Sequence, residues 1–420
     1  MTINGSPTAS VLSGLDETRP WQEALYRHLH EHPELSHQEH DTASEVAKRL
    51  GGFGYEVHQG VGGTGVVGVL PNGDGPTVLL RADMDALPVE EHTGLPYAST
   101  VTARNRDGNE VPVMHACGHD VHVTCLLGAC ALLSQARYAW RGRVVALFQP
   151  AEEVGDGARK MVEDRLAEIV GHVDVAFAQH VLPMPASVVG TRPGPALSAA
   201  DSVQITVYGR GAHGSMPHAA VDPVVLAAMI VVRLQTVIAR EVDPTDPAVL
   251  TVGSIQAGTT SNVIGDHAVL QLNIRTYNDK TREAILNAVK RIVIAECQAS
   301  RSPKDPEFLL SDRFPPTQND PVVTAGVRAA FDAFFGARSQ DLPLQSASED
   351  FSDIPNALSV PFTYWGIGGT DPAAYHRAVD AGRVSEDIPV NHSPAFAPVV
   401  QPTLDTGTQA MVAAALAWLT

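Results

Sequence analysis

Four short, almost uninterrupted apolar runs, at residues 66–70, 78–80, 144–148 and 173–177, constrain this chain more than any other feature. A strand with one wet face alternates polar and apolar residues. A continuous run of Val, Leu, Ala and Phe has no wet face and needs cover on both sides. The runs at 144–148 and 173–177 are each followed by helix-like sequence, which is the order of an α/β sheet with helices on its faces. The runs at 66–70 and 78–80 are joined by Pro71-Asn72-Gly73-Asp74-Gly75-Pro76, turn chemistry that predicts a hairpin. Upstream, Trp21, Leu25 and Leu29, then Val46 and Leu50, keep helical spacing, and Gly51-Gly52 supplies a helix end.

Near residue 200 the pattern changes. Residues 202–208 alternate as a strand, 223–238 read as an apolar helix, 250–255 and 269–276 as strands, and 282–299 as a second helix. This β-α-β-β-α order is that of a small α+β layer of ferredoxin-like type. After Phe314-Pro315-Pro316 the α/β character returns and ends in a helix at 406–419. The expected fold class is therefore an α/β domain with a central sheet flanked by helices, built from residues 1–199 and 313–420. A smaller α+β domain is inserted at 200–312. A chain of 420 residues also exceeds what one core usually organises.

Composition narrows the function. Hydrophobic residues at 44% and charged residues at 18% belong to a globular chain, not a disordered one. With 29 basic and 47 acidic side chains the net charge is 29 − 47 = −18, which argues against nucleic-acid or anionic-membrane partners. The apolar stretch at 224–232 is far shorter than a membrane span, and residues 1–15 lack a basic start and apolar stretch, so no secretion signal is expected. Four cysteines make no disulfide framework. A cytoplasmic protein is the expectation.

Gly60-Val61-Gly62-Gly63-Thr64-Gly65 matches G-x-G-x-x-G, but a strand-like run follows it where a dinucleotide site needs a helix, so it reads as a turn. Asn391-His392-Ser393 fits a glycosylation acceptor, a coincidence if the chain is not secreted. The segment His115-Ala116-Cys117-Gly118-His119-Asp120-Val121-His122 is more informative. A thiol and an imidazole on either side of a glycine can turn toward one point, and both ligate zinc-like ions. Asp120 is placed to cap the apolar helix that starts there. Asp83 and Asp85 follow the run at 78–80, Glu152 and Glu153 follow 144–148, and His180 lies just past 173–177. Ligands of open α/β sheets bind beyond the carboxyl ends of strands, so these acids and imidazoles point to one metal site.

These residues resemble the co-catalytic metallopeptidases related to aminoacylase and glutamate carboxypeptidase. The closer match is their amidohydrolase branch, which includes hippurate hydrolases and hydrolases of indole-acetyl amino acids. The motifs are Arg81-Ala82-Asp83-Met84-Asp85-Ala86-Leu87-Pro88, the Cys117–His122 segment and Gln149-Pro150-Ala151-Glu152-Glu153. His30-Glu31-His32-Pro33-Glu34-Leu35-Ser36, Gly211-Ala212-His213-Gly214-Ser215-Met216-Pro217-His218, Ser261-Asn262-Val263-Ile264 and Ser348-Glu349-Asp350-Phe351 extend it over nearly the whole chain from about residue 20.

The resemblance implies that residues 1–199 and 313–420 form a metal-binding catalytic domain, and that 200–312 form a lid through which a homodimer assembles. It implies two divalent metal ions per subunit held by Cys117, His119, Glu153, His180 and His392, with Cys117 bridging. Zinc suits thiolate, imidazole and carboxylate donors best, with manganese, cobalt or nickel as the other candidates. Glu152 takes the place of the general base and Asp85 that of the supporting carboxylate, while His213, Asn262 and Arg275 meet the substrate. The chain departs from the pattern at Gln179, before His180, and at Leu272-Asn273-Ile274, before Arg275. The implied activity is hydrolysis of the amide of an N-acyl amino acid. A dipeptidase or carboxypeptidase on the same scaffold and a catalytically silent metal-binding homologue are the alternatives.

Overall fold

The apolar runs become strands of one eight-stranded sheet in a computed structural model that describes residues 6–420. The expectation for residues 1–15 therefore falls partly on residues 1–5, outside the described residues. Two units can be separated: one takes the chain up to Gly194, Asn319–Pro343 and Asp350–Thr420, the other takes Pro195–Gln318 and Leu344–Glu349. The inserted unit thus begins before residue 200, ends beyond 312 and takes in a later hexapeptide. The additions are the short segments 195–199, 313–318 and 344–349, too short to show an apolar period.

In chain order the first unit contributes β1 (Glu56–Val61), β2 (Gly65–Asn72), β3 (Thr77–Asp83), β4 (Gly142–Gln149), β5 (Val175–Pro185) and β6 (Val189–Thr191). The second contributes β7 (Ala199–Tyr208), β8 (Ala248–Ala257), β9 (His267–Thr276) and β10 (Glu307–Phe314), after which β11 (Ser339–Asp341) and β12 (Phe362–Thr370) return to the first. The large sheet has the order β1-β2-β4-β3-β5-β12-β6-β11.

One expectation fails here. Residues 66–70 and 78–80 do not form a hairpin, because β4 inserts between them, antiparallel to β2 and parallel to β3. All three strands are buried along most of their length, and β4 can satisfy both neighbours only from between them. The glycine-rich segment 60–65 forms the tight turn of the true hairpin, β1–β2.

The helices α1 (Leu15–Glu31), α2 (His40–Gly52) and α3 (His119–Gln135) cover the first unit's sheet together with Val400–Leu419. Helix α3 is buried on every side from His119 to Leu133, so it lacks an apolar stripe and packs among α1, Val400–Leu419 and β3.

In the second unit the antiparallel order is β8-β9-β7-β10. The helices α4 (Pro223–Glu241) and α5 (Asp279–Ala299) bury Leu226, Ile230, Leu234, Ile285 and Val289 with Val203, Ile205, Leu270, Leu272 and Ile274 of the sheet. The full order is β-α-β-β-α-β; the last strand escaped notice because β10 is an edge strand exposed along most of its length. Helix α4 is longer than the apolar stretch read at 224–232. It has 19 residues, and an 18-residue window of mean hydropathy 1.7 is long and apolar enough to cross a membrane by length and composition only. One face is covered by the sheet, while Val224, Val225, Met229 and Val232 stay exposed on the other.

Gln179, one departure from the pattern, has a clear role. Its Oε1 accepts from Trp365 Nε1 at 3.1 Å and its Nε2 donates to the Gly407 carbonyl at 3.2 Å, all in the core. Gln179→Leu should strand both partners and cost about 1–3 kcal/mol. A urea midpoint unchanged from wild type would contradict this role.

Candidate metal centre

The centre is assembled from sheet exits and the start of α3. Strand β3 ends at Asp83, with Asp85 two residues on, and β4 ends at Gln149, with Glu152 and Glu153 on the following turn. His180 does not lie past its strand as expected. Pairing with β12 carries β5 on to Pro185, so His180 projects from within it. Gly118 opens α3 at φ +81°, and a Cβ there would come within 2.4 Å of Val181 Cγ1. Only glycine fits, which is why Cys117 and His119 can flank so sharp a turn. Asp120 does not cap the helix: Gly118 holds the cap position, and Asp120 accepts instead from the Val121 N–H and from His30.

Seven of the expected residues converge in the first unit. Cys117 Sγ lies 3.4 Å from His180 Nε2, Glu153 Oε2 lies 3.3 Å from His392 Nε2, and Glu153 Oε1 lies 3.8 Å from His119 Nε2. Donors at ~2.0–2.3 Å from a tetrahedral ion stand ~3.3–3.8 Å from one another, so these spacings are compatible with ligation of a shared ion. Donor atoms of Cys117, His119 and His180 form one group within 4.8 Å, those of Cys117, Glu153 and His392 a second, and those of His119, Glu152 and Glu153 a third. Cys117, His119 and Glu153 each stand in two of these three groups. His119 Nε2 and Glu153 Oε1 are buried with no hydrogen-bond partner, the state of a ligand atom whose partner is an ion.

Hydrogen bonds fix which nitrogen faces inward. His180 Nδ1–H donates to the Val181 carbonyl at 2.8 Å, leaving the Nε2 lone pair toward Cys117. His119 Nδ1–H donates to Asp85 at 3.2 Å, the carboxylate–histidine arrangement that orients metal ligands. Asp85 also accepts from the Ser36 hydroxyl at 2.6 Å and from the N–H groups of Glu152 at 3.1 Å and Glu153 at 3.0 Å.

The electrostatics ask for cations. Burial opposes charge on His119, yet Asp83, Asp85 and Glu153 outweigh it and raise its pKa to about 10. Burial, then the Glu153 and Glu152 carboxylates, push the Cys117 thiol well up. Burial beside His122 keeps His180 neutral, the form that ligates. Arg81, a buried guanidinium, donates to Asp83 at 2.7 Å and to Gln149 at 2.9 Å. The residues therefore fit divalent ions.

Sequence reasoning overlooked three supports. His122 holds Asp83 through Nδ1 at 2.5 Å and accepts the Val181 N–H at Nε2, so both its nitrogens are committed. Asn391 Nδ2 donates to the carbonyls of Cys117 at 3.2 Å and Val181 at 3.1 Å. Its place beside His392 was the available signal. Glu39 is the third, and its contacts lie behind the Glu152 turn.

The remaining candidates lie in the second unit. Ala212–His213 pairs antiparallel with Val263–Ile264, and the Gly214 N–H donates to the Asn262 carbonyl at 2.7 Å, which brings His213 and Asn262 onto neighbouring exposed segments. Arg275 donates through Nε to Asn273 Oδ1 at 2.9 Å and through Nη1 to Ser348 Oγ at 2.6 Å, so the departure at Asn273 braces the guanidinium.

The family model of peptidase family M20/M25/M40 matches residues 79–389. The chain belongs to that family. It is 38% identical over 352 residues to the N-acetyl-L-cysteine deacetylase of Bacillus subtilis, covering 82% of this chain and 80% of the relative. It is 37% identical to the thermostable carboxypeptidase 1 of Saccharolobus solfataricus (84% and 86% covered) and to the hippurate hydrolase of Campylobacter jejuni (78% and 83%). Among solved structures, the Bacillus subtilis YXEP protein, described as a dinuclear metal-binding peptidase of family M20, superposes with a TM-score of 0.76 at 29% identity, covering 96% of this chain and 98% of that one. This M20-family chain resembles the amidohydrolase branch and is a metal-dependent hydrolase of amide bonds.

His30 supports the start of α3 from α1. It meets Asp120 at 2.7 Å and Glu91 at 3.1 Å. Burial disfavours its charge, but the two carboxylates prevail and raise its pKa from 6.5 to about 10. A raised folded pKa stabilises fully below the unfolded value, and the contribution disappears as pH rises through the folded one. The wild-type urea midpoint should therefore fall between pH 6.5 and 10 more steeply than that of His30→Gln. Parallel profiles would contradict the charged pairing.

Proposed function

We propose that the protein hydrolyses N-acyl amino acids, with Glu152 as general base. The observation that carries this is the turn after β4. Asp85 holds the N–H groups of both Glu152 and Glu153, and only Glu153 is needed to complete the ligand set with Cys117, His119, His180 and His392. Two divalent ions in this cluster supply Lewis acidity toward an amide carbonyl and a water molecule. Zinc is the favoured pair for a site with a thiolate donor, and a reducing cytoplasm would keep that thiol usable.

Glu152 takes a proton from the attacking water and passes it to the leaving nitrogen. The acyl C–N bond breaks as a C–O bond forms, giving a carboxylate and a free amino acid. Arg275, its fork braced by Asn273 and Ser348, reads the α-carboxylate of the substrate; Asn262 stands at the other end of the β8–β9 hairpin, beside the His213 turn, as a separate substrate contact. The deacetylase and hippurate hydrolase relatives support an acyl substrate. The carboxypeptidase relative, at equal similarity, supports a peptide substrate as the second reading.

A panel of N-acyl amino acids, their C-terminal amides and dipeptides separates these readings. N-acyl amino acids should be cleaved fastest, activity should vanish with chelator, the amides should be poor substrates, and Arg275→Ala should erase that difference by slowing cleavage of the free acids. Glu152→Gln should keep its metal and lose ~10²–10⁴-fold in kcat. Faster cleavage of dipeptides would favour the peptidase reading, and a metal-loaded Glu152→Gln enzyme of full rate would remove Glu152 as the base.

We further propose that the inserted unit forms a homodimer and that His213 acts in the partner's site by stabilising the tetrahedral oxyanion. The exposed apolar face of α4 supports an interface, and His213 sits exposed on a glycine-rich turn, able to reach outward. His213→Ala should bind metal normally and lose ~10²–10³-fold in kcat. Mixing Glu152→Gln with His213→Ala subunits should restore activity through one intact composite site, and no restoration under subunit exchange would exclude sharing.

A further inference from the structure

Glu39 is a fully buried carboxylate with no part in the chemistry above. Its backbone sits at the start of α2, where its carbonyl accepts the Ala43 N–H at 3.0 Å, while its side chain turns into the core. There Oε1 accepts the N–H of Ala151 at 2.8 Å and of His37 at 2.9 Å, and Oε2 accepts the Thr64 hydroxyl at 2.6 Å.

Ala151 is the unusual member. It is a non-glycine residue at φ +52°, fully buried, and it immediately precedes Glu152. A left-handed alanine is strained and persists only where its surroundings hold it. Three consecutive N–H groups in this turn, from Ala151, Glu152 and Glu153, donate to buried carboxylates: the first to Glu39, the other two to Asp85. On the far side the Ala151 carbonyl accepts the Gly157 N–H at 3.2 Å. Asp85 and Glu39 together hold the three N–H groups of the turn.

We propose that Glu39 is a positioning residue for Glu152: by gripping the Ala151 N–H it keeps Ala151 left-handed and so sets the direction in which the Glu152 side chain leaves the turn. This rests on the reading of Glu152 as the base. Without the grip, Ala151 relaxes toward φ < 0 in a fraction of molecules, and Glu152 is misdirected in that fraction. The loss falls on kcat, because the substrate-binding residues and ligand set are untouched.

The experiment uses the metal-loaded enzyme and an N-acyl amino acid that it turns over. Glu39→Ala should lower kcat ~10–100-fold, the scale of a small misplacement of a reacting group, with KM and the metal-to-protein ratio unchanged. Glu39→Gln, whose amide oxygen still accepts both N–H groups, should retain most of the rate. Adding Ala151→Gly to Glu39→Ala should recover about fivefold or more, because glycine adopts φ > 0 without strain. A merely structural role for Glu39 predicts no such recovery. If Glu39→Ala does not fold, Glu39→Asp, which withdraws the oxygens by one methylene, takes its place with the same expectations. Unchanged kcat in a folded variant, metal loss in proportion to rate loss, or no recovery with Ala151→Gly would overturn the proposal. Glu152→Gln measured alongside keeps the two readings apart: full rate there removes the base itself, whereas its loss with unaffected Glu39 variants removes only the positioning role.

Discussion

A single buried carboxylate, Asp85, ties the centre together. It takes hydrogen bonds from Ser36, from the ring of His119, and from the backbone of both Glu152 and Glu153. Through those contacts the exit of β3, the start of α3 and the turn after β4 share one anchor. Burial penalises its charge, but the hydrogen bond and charge of His119 and the Ser36 hydroxyl outweigh that penalty and hold its pKa below the usual value. A charged acceptor of this kind orients its donors more strongly than a neutral one. His119 thereby presents Nε2, and Glu152 and Glu153 leave one turn toward the same space.

That arrangement gathers several carboxylates around His119. Arg81 compensates Asp83 and, through a 3.5 Å contact, Asp350, while Gln149 and the Ala158 N–H also donate to Asp350. Glu153 instead faces the rings of His119 and His392, at 3.8 and 3.3 Å. Packing that forces these groups together is costly unless ions complete it, so metal loading and stability of the first unit should be coupled. The network around Arg81 then belongs to the scaffold, and the ion-binding groups stand in front of it.

The ligand types and their strand-end pattern were legible because chemistry of this kind needs few residue types at recognisable places. Cys117-Gly118-His119 and Glu152-Glu153 announce themselves. What was not legible depends on pairing across the chain. The hairpin expected at 66–80 failed because nothing local tells β2 and β3 that β4 will separate them. His180 was placed past its strand because the extension of β5 to Pro185 is made by β12, nearly 200 residues later. Glu39, His122 and Asn391 escaped because a buried supporting group looks, in sequence, like any polar residue beside a helix or loop. Gln179 and Asn273 looked like departures from a pattern; the structure gives each a partner, Trp365 for one and Arg275 for the other.

The order of the proposed ligands along the chain sets a condition on folding. Cys117, His119, Glu153 and His180 precede the insertion, whereas His392 follows it and is seated by its own N–H on the Ala116 carbonyl and by Asn391 on Cys117 and Val181. The complete donor set exists only after the chain has left for Pro195–Gln318 and returned. Loop-closure entropy grows only logarithmically with length, each doubling adding ~0.6 kcal/mol, so an insertion with its own core is tolerated at small cost. The second unit has such a core between α4, α5 and its four-stranded sheet. An insertion that folds on its own shortens the effective loop, and His392 can then close the donor set while the first unit's sheet gains β12 and β11. Strand completion and ligand completion are thus brought about by the same returning segment.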